Sequence, residues 1–172
     1  MRAAHDTQNS RNSKAERVEW AGVKSLSVNH MIRPFHLALP TSNLAATRRF
    51  YVDVMGCRIG REDTSWVDLD LYGHQLVFHD CGGKSLPTLY NPVDRHQVPL
   101  PHFGIILRPA DFTTLAARLE GQVSFVIAPT IRFSGTPGEQ QTMFFKDPNA
   151  YALEFKAFAD DRFIFEPFEP TG

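Results

Sequence analysis

Cysteine is scarce: Cys57 and Cys81 are the only two in 172 residues, and no CxxC pair occurs. That argues against a disulfide framework and against a zinc–thiolate site, and makes a reducing cytoplasm the expected compartment. A dominant charge is missing as well. The formal net charge is −1, which leaves no electrostatic footprint for nucleic acid or anionic lipid. No run approaches the ~18 apolar residues of a membrane span. The first thirty residues lack an apolar signal-peptide core and carry Asp6, Glu16 and Glu19, which argues against a secretory leader. Residues 1–32 are polar, with only a scattered Trp20, Val23 and Leu26, and are expected to be a disordered or loosely attached extension. Met31 is an alternative start.

The rest is ordinary globular composition, 42% hydrophobic, with fourteen phenylalanines for a core or an apolar pocket. A strand is expected at 34–39, ending at Pro40. A helix follows from Leu44 to Met55, with Ser42-Asn43 offering N-cap oxygens and Gly56 at its C-terminal end. Three strands come next, at 57–61, 66–71 and 75–79, with Tyr72-Gly73 as a hairpin turn. This makes one βαβββ unit. Residues 81–99 read as a long proline- and glycine-rich connection of the kind that faces substrates.

The pattern then repeats. A strand is expected at 100–107. A helix with Asp111 as N-cap follows, burying Phe112, Leu115, Ala116 and Leu119 and ending at Gly121. Strands are expected at 123–127, 130–133, 140–145 and 152–158, with Gly135-Thr136-Pro137-Gly138 as a turn. In the tail, 159–172, Phe163, Ile164, Phe165 and Phe168 are expected to fold back on the surface or on a partner.

The first strand of each unit carries one histidine, His36 or His102, with a small residue two places on, Ala38 or Gly104. That leaves room beside each ring. The last strand is Ala152-Leu153-Glu154-Phe155-Lys156. Its side chains alternate faces, so Glu154 stands apart from Leu153 and Phe155. A carboxylate there is solvated, paired or bound to a cation. Two histidines and one carboxylate from three strands make a ligand set known from non-haem Fe(II) sites.

The stretches His36-Leu37-Ala38-Leu39-Pro40, Asn43-Leu44, Arg49-Phe50-Tyr51 and Met55-Gly56-Cys57 resemble the opening module of the vicinal oxygen chelate superfamily. Its members include glyoxalase I, bleomycin-resistance proteins and extradiol dioxygenases. Phe144-Phe145-Lys146-Asp147-Pro148-Asn149 with Leu153-Glu154-Phe155 is similar to the superfamily's closing hairpin. The resemblance spans about residues 33–158, as module 1 (33–80), linker (81–99) and module 2 (100–158). In Gly73-His74-Gln75, Pro101-His102-Phe103-Gly104 and Pro137-Gly138-Glu139-Gln140 it is nearest in style to small extradiol-dioxygenase-like proteins. It implies an α+β fold of paired βαβββ modules, an open, cupped, mostly antiparallel sheet around a divalent metal. The implied ligands are His36, His102 and Glu154, and a homodimer is expected.

A fourth family ligand would come from Gln75-Leu76-Val77-Phe78-His79. Matching Leu76-Val77-Phe78 to Leu153-Glu154-Phe155 puts Val77 there; a shift of two puts Gln75 there. No carboxylate lies on that face, so three ligands with open positions are expected. The tyrosine that ring-cleaving relatives place in the final hairpin falls near Phe144, which has no phenol.

Three functions follow. The first is an Fe(II) extradiol-type dioxygenase taking a small catechol-like substrate and O2. In it His79 is the acid or base, with His74 and His96 as other candidates, and Gln75, Arg132 and Phe144 contact substrate. Arg132 reads equally as a salt-bridged strand residue, and His79 as a surface one. The second is a glyoxalase-type lyase or isomerase using Ni(II), Zn(II) or Mn(II), which needs Gln75 as fourth ligand. The third is a metal-free protein that sequesters a small molecule. One site per chain is expected, closed within the chain or shared between two.

Overall fold

The computed structural model describes residues 33–82, 89–93 and 96–165. The N-terminal extension, parts of the linker, and Phe168 with the end of the tail lie outside the described residues. Strand β1 (His36–Thr41) leads into helix α1 (Leu44–Arg49), which continues as a π-helical turn over Phe50–Val54. The Asn43 side chain accepts from the Ala46 N–H, the cap that the sequence offers. Gly56, at φ +82°, ends the helix in a conformation that favours glycine. Strands β2 (Arg58–Asp63), β3 (Trp66–Leu71) and β4 (His74–Asp80) follow. Tyr72 and Gly73 both have positive φ, the geometry of a tight hairpin turn.

Part of the connection at 81–99 is paired strand rather than loop. It holds a two-stranded hairpin, β5 (Leu89–Val93) and β6 (His96–Leu100). Proline is tolerated in a strand at the edge of a sheet, and both strands of a two-stranded sheet are edges. The second module runs β7 (His102–Ile106), α2 (Pro109–Leu119), β8 (Phe125–Arg132), β9 (Gln140–Lys146) and β10 (Ala152–Phe158). Asp111 is not the N-cap of α2. The cap is Arg108 and Pro109 opens the helix, so Asp111 sits in the first turn and accepts from Arg108 Nε at 2.7 Å. The two strands expected at 123–127 and 130–133 are one strand, β8, with register shifts against β9 between Phe125 and Thr130. A bulge breaks the alternation of side chains, which makes one strand read as two. In the tail, Asp161–Ile164 forms a short 3-10 helix, with Phe163 and Ile164 half-buried and Phe165 exposed.

Each module is a four-stranded sheet, in the orders β1-β4-β3-β2 and β7-β10-β9-β8. The β1–β4 and β7–β10 pairings are parallel and the others antiparallel. This is the α+β arrangement of two βαβββ units. Leu37, Leu39, Leu76 and Phe78 from the first sheet meet Phe103, Ile105, Leu153 and Phe155 from the second in one core. Tyr51, Phe78, Phe145 and Phe155 are fully buried there, each stabilising the fold by roughly 1.5–3 kcal/mol. Phe145 and Phe155 stack with centroids 5.9 Å apart.

The Asp147-Pro148-Asn149 turn joins the two modules. Asp147 accepts from the Asn149 and Tyr151 N–H groups, both at 2.9 Å, and from the Tyr51 hydroxyl at 3.2 Å. Asn149 bonds both Thr41 and Thr47, and the Tyr151 hydroxyl donates to the Pro40 carbonyl. The turn thus binds the far end of β1 and the start of α1. Among the described residues, no helix is long and apolar enough to cross a membrane.

Candidate metal centre

Because core residues alternate along β1, β4, β7 and β10, the residues between them share the opposite face of each sheet. On the second sheet this face carries His102, Glu154, Thr142, Phe144 and Lys156. His102 Nε2 lies 3.2 Å from Glu154 Oε2, and Lys156 Nζ reaches the same oxygen at 3.2 Å. Thr142 Oγ1 donates to Glu154 Oε1 at 3.0 Å. Burial alone would raise the Glu154 pKa, but the hydrogen bond from His102 and the Lys156 charge outweigh it and hold the carboxyl below its ordinary range. The bond to Glu154 in turn raises His102, against the effect of burial. Phe144 is fully buried, meets the His102 ring edge-on at 5.2 Å, and clusters with Val98 of β6 and Ile127.

His102 Nδ1 stands 2.7 Å from the Pro99 carbonyl oxygen, which can only accept. Nδ1 therefore carries a proton. Nε2 donates to Glu154 in the metal-free pair, and it becomes the lone-pair nitrogen when that proton leaves and a cation takes its place. That is the state a metal ligand needs.

The first sheet carries the other histidine. His36 lies opposite Gln75 in the β1–β4 ladder, and its Nδ1 is 2.8 Å from Gln75 Oε1. Gln75 Nε2 donates to Asp68 Oδ2 at 3.0 Å, and Arg61 pairs with that oxygen at 2.9 Å. His74 Nδ1 accepts from the Phe35 N–H and so tethers the start of β1.

The ladders resolve the position of a fourth ligand. In the second sheet Glu154 lies opposite Gly104, two residues beyond His102. In the first, the residue opposite Ala38, two beyond His36, is Val77. Val77 is the counterpart of Glu154, and Gln75 that of Ala152. His79 then corresponds to Lys156, one step further along the same face. Gly104 serves a different purpose from leaving room beside a histidine. A Cβ there would overlap the backbone carbonyl of Glu154, so β7 and β10 approach as closely as they do only with glycine at 104.

The structure brings His102 to Glu154 and His36 to Gln75. Among the described residues, it forms no cluster of three or more His, Cys, Asp or Glu side chains that could hold a metal within one chain. The donor chemistry nonetheless fits a divalent metal: two imidazole Nε2 atoms, each with Nδ1 engaged by an acceptor, and one ionised carboxylate. Both histidine strands are the outermost of their sheets, so each leaves one backbone edge unpaired. Phe35 and Ile106, beside them, expose 64% and 42% of their surface.

The other candidates lie further off. Arg132 is buried on β8 opposite Gln140, which itself faces Phe158, four residues beyond Glu154. At about 3.3 Å per residue that is roughly 13 Å along the sheet. His79 is exposed. Sequence reasoning missed Asp68, Thr142 and Pro99 as partners of the site, because cross-strand register is invisible in one sequence. Lys156 could have been found, since residues two apart in a strand share a face.

A family model described as the Glyoxalase/Bleomycin resistance protein/Dioxygenase superfamily matches residues 33–155. The chain belongs to that superfamily. Its fold resembles a glyoxalase/bleomycin resistance protein/dioxygenase from Alicyclobacillus acidocaldarius with TM-score 0.64 and 32% identity, covering 77% of this chain and 96% of that one. It also resembles a glyoxalase/dioxygenase from Nostoc punctiforme, with TM-score 0.54 and 17% identity over 78% and 100% of the two chains. The fosfomycin resistance protein FosX from Listeria monocytogenes shares the fold, with TM-score 0.50 and 14% identity over 74% and 94%. No curated protein matches the chain.

Proposed function

We propose that the protein is a metal-dependent enzyme of the extradiol dioxygenase type, acting on a small chelating substrate with O2, in the cytoplasm. His36, His102 and Glu154 would hold the metal, Fe(II) by preference. The observation that carries this reading is Val77. An apolar side chain where the first module would place a fourth ligand leaves coordination positions open for substrate. A closed, four-ligand glyoxalase-type site is disfavoured for the same reason. A bound divalent metal supplies Lewis acidity and a template that assembles the reactants.

The chain's own groups do the rest. Phe144 fixes the plane of the His102 ring and keeps water from its inner side. Thr142 holds the second oxygen of Glu154. His79, at the register position that matches Lys156, is the proposed acid or base. The complete set of two imidazoles and one carboxylate argues against a purely sequestering protein, which has no use for it.

Because the half-sites do not meet in one chain, two chains are proposed to share them. His36 of one would complete the His102–Glu154 pair of the other, giving two sites per homodimer. The first test is metal content after anaerobic purification, with His102→Ala and Glu154→Ala as controls, together with O2 uptake on a panel of catechols. About one iron per chain, lost in both variants, with O2 uptake, is expected. Nickel or zinc without O2 uptake would turn the assignment to the lyase, and failure to bind any divalent metal would turn it to sequestration. Sharing is tested by mixing His36→Ala with Glu154→Ala chains. A shared arrangement restores one site per mixed dimer; sites within single chains restore none.

A further inference from the structure

We propose that Gln75 is a positioning residue for His36 rather than a ligand or a substrate contact. With Asp68 and Arg61 it forms a relay that fixes His36 in the tautomer with its lone pair on Nε2. This rests on the reading of His36 as a metal ligand for its purpose, but not for its existence.

The direction of the relay follows from what each group can do. Arg61 donates through Nε at 3.0 Å and Nη2 at 2.9 Å to Asp68 Oδ2, and its guanidinium also lies over the Trp66 ring at 5.8 Å. Asp68 is buried, and its Oδ2 faces the Arg61 guanidinium donors as an acceptor. The Gln75 amide 3.0 Å away must therefore present its NH2 group to Asp68, since the flipped amide would set its oxygen against a carboxylate. Its Oε1 is left facing His36 Nδ1 at 2.8 Å. An acceptor there requires the proton on Nδ1, and the lone pair falls on Nε2.

A histidine as exposed as His36 has no such constraint from water, which donates and accepts alike. The two modules thus reach one outcome by different means. His102 is fixed by a backbone carbonyl, Pro99, and His36 by a side-chain relay ending on a buried carboxylate. An acceptor behind a ligating imidazole also makes it a stronger ligand, and loss of such a partner ordinarily weakens metal binding 10–100-fold. Both ends of the Gln75 amide are engaged in this arrangement, the oxygen by His36 and the NH2 by Asp68.

The test uses the full chain, metal-free and labelled with 15N-histidine, at a pH about two units above the ordinary imidazole value of about 6.5. Long-range 1H–15N correlation reads the tautomer of each ring, and the His36 signals are identified by their absence in His36→Ala. Wild type is expected to show Nδ1–H. Gln75→Leu is expected to lose that signature, and Gln75→Glu, which keeps an acceptor, to retain it. Asp68→Asn touches no atom of His36 but frees the amide to flip, so it is expected to move the same signals. A wild-type His36 protonated on Nε2, or signals that Gln75→Leu leaves in place, would overturn the relay. Zn(II) affinity, by competition with a chromophoric chelator, is expected to fall 10–100-fold in Gln75→Leu. An altered tautomer with unchanged affinity would overturn the relay's role in metal binding. A wild type that shows the Nδ1–H tautomer and binds no zinc would sink the metal reading and leave the relay standing.

Discussion

Replacing Gly104 with alanine tests the join between β7 and β10, on which the His102–Glu154 pairing depends. A Cβ at this position would overlap the Glu154 carbonyl oxygen and lie 2.6 Å from its carbon and 3.2 Å from its nitrogen. All three are backbone atoms of a buried central strand, so no rotamer change relieves the contact. The strands must separate by about an ångström or more. Overpacking of this kind costs about 1–3 kcal/mol, and weakening one or two ladder hydrogen bonds adds about 1 kcal/mol each. A destabilisation of about 3 kcal/mol is expected, a fall of roughly 6–12 °C in melting temperature for a chain of this size. Divalent-metal affinity should fall with it, since His102 moves away from Glu154. Gly60→Ala is the control. The nearest atom to its added carbon is Asp68 Cβ at 3.4 Å, an ordinary contact, and its melting temperature should change by at most a few degrees. Differential scanning calorimetry of both variants, with zinc titrations, measures this. A Gly104→Ala protein as stable as wild type, with its metal affinity intact, would refute the close approach of the two strands and the argument built on it.

Three further outcomes are expected. The raised His102 pKa contributes stability below its ordinary value of 6.5, lost as pH rises through the raised value. The lowered Glu154 pKa contributes stability above its ordinary 4.5, lost as pH falls through the lowered value. Melting curves of the metal-free protein should therefore show a contribution from this pair that is greatest between those two values and flattened in Glu154→Gln. Because a metal takes the place of the His102 proton, zinc affinity should weaken as pH drops through the raised His102 value, which isothermal titration in buffers of different ionisation heat would detect as proton release. Asp147→Ala strips acceptors from two backbone N–H groups and from the fully buried Tyr51 hydroxyl. A loss of about 3 kcal/mol is expected in urea unfolding. Ala150, at φ +66°, is a non-glycine residue in the left-handed region. Ala150→Gly relieves about 1–2 kcal/mol of strain against about 0.5–1 kcal/mol of added chain entropy, so a small rise in melting temperature is expected.

Local physics made much of this protein legible from its residues. Asn43 before Leu44, Gly56 after the helix, Tyr72-Gly73 between alternating strands and the span of β10 are short-range features, and each appears where its chemistry requires. The two modules were readable too, because a repeated pattern needs no knowledge of what touches what. The family resemblance, carried by the ends of the domain, agrees with the superfamily match over residues 33–155. What failed were places where a local rule met a tertiary one. Pro92 and Pro99 suggested a loop, yet pairing between β5 and β6 made a hairpin. A bulge split β8 in the reading, and Pro109 displaced Asp111 from the cap.

Register belongs to the tertiary structure alone. A shift of two residues keeps every side chain on its own face, so the sequence could not choose between Val77 and Gln75 as the counterpart of Glu154. The hydrogen-bonded ladders of β1 with β4 and β7 with β10 chose Val77. They also gave Gln75 to His36 and Asp68. Side-chain identity set which donor groups the chain carries. The packing of the two sheets, which only long-range contacts determine, placed His36 and the His102–Glu154 pair in separate halves of one chain.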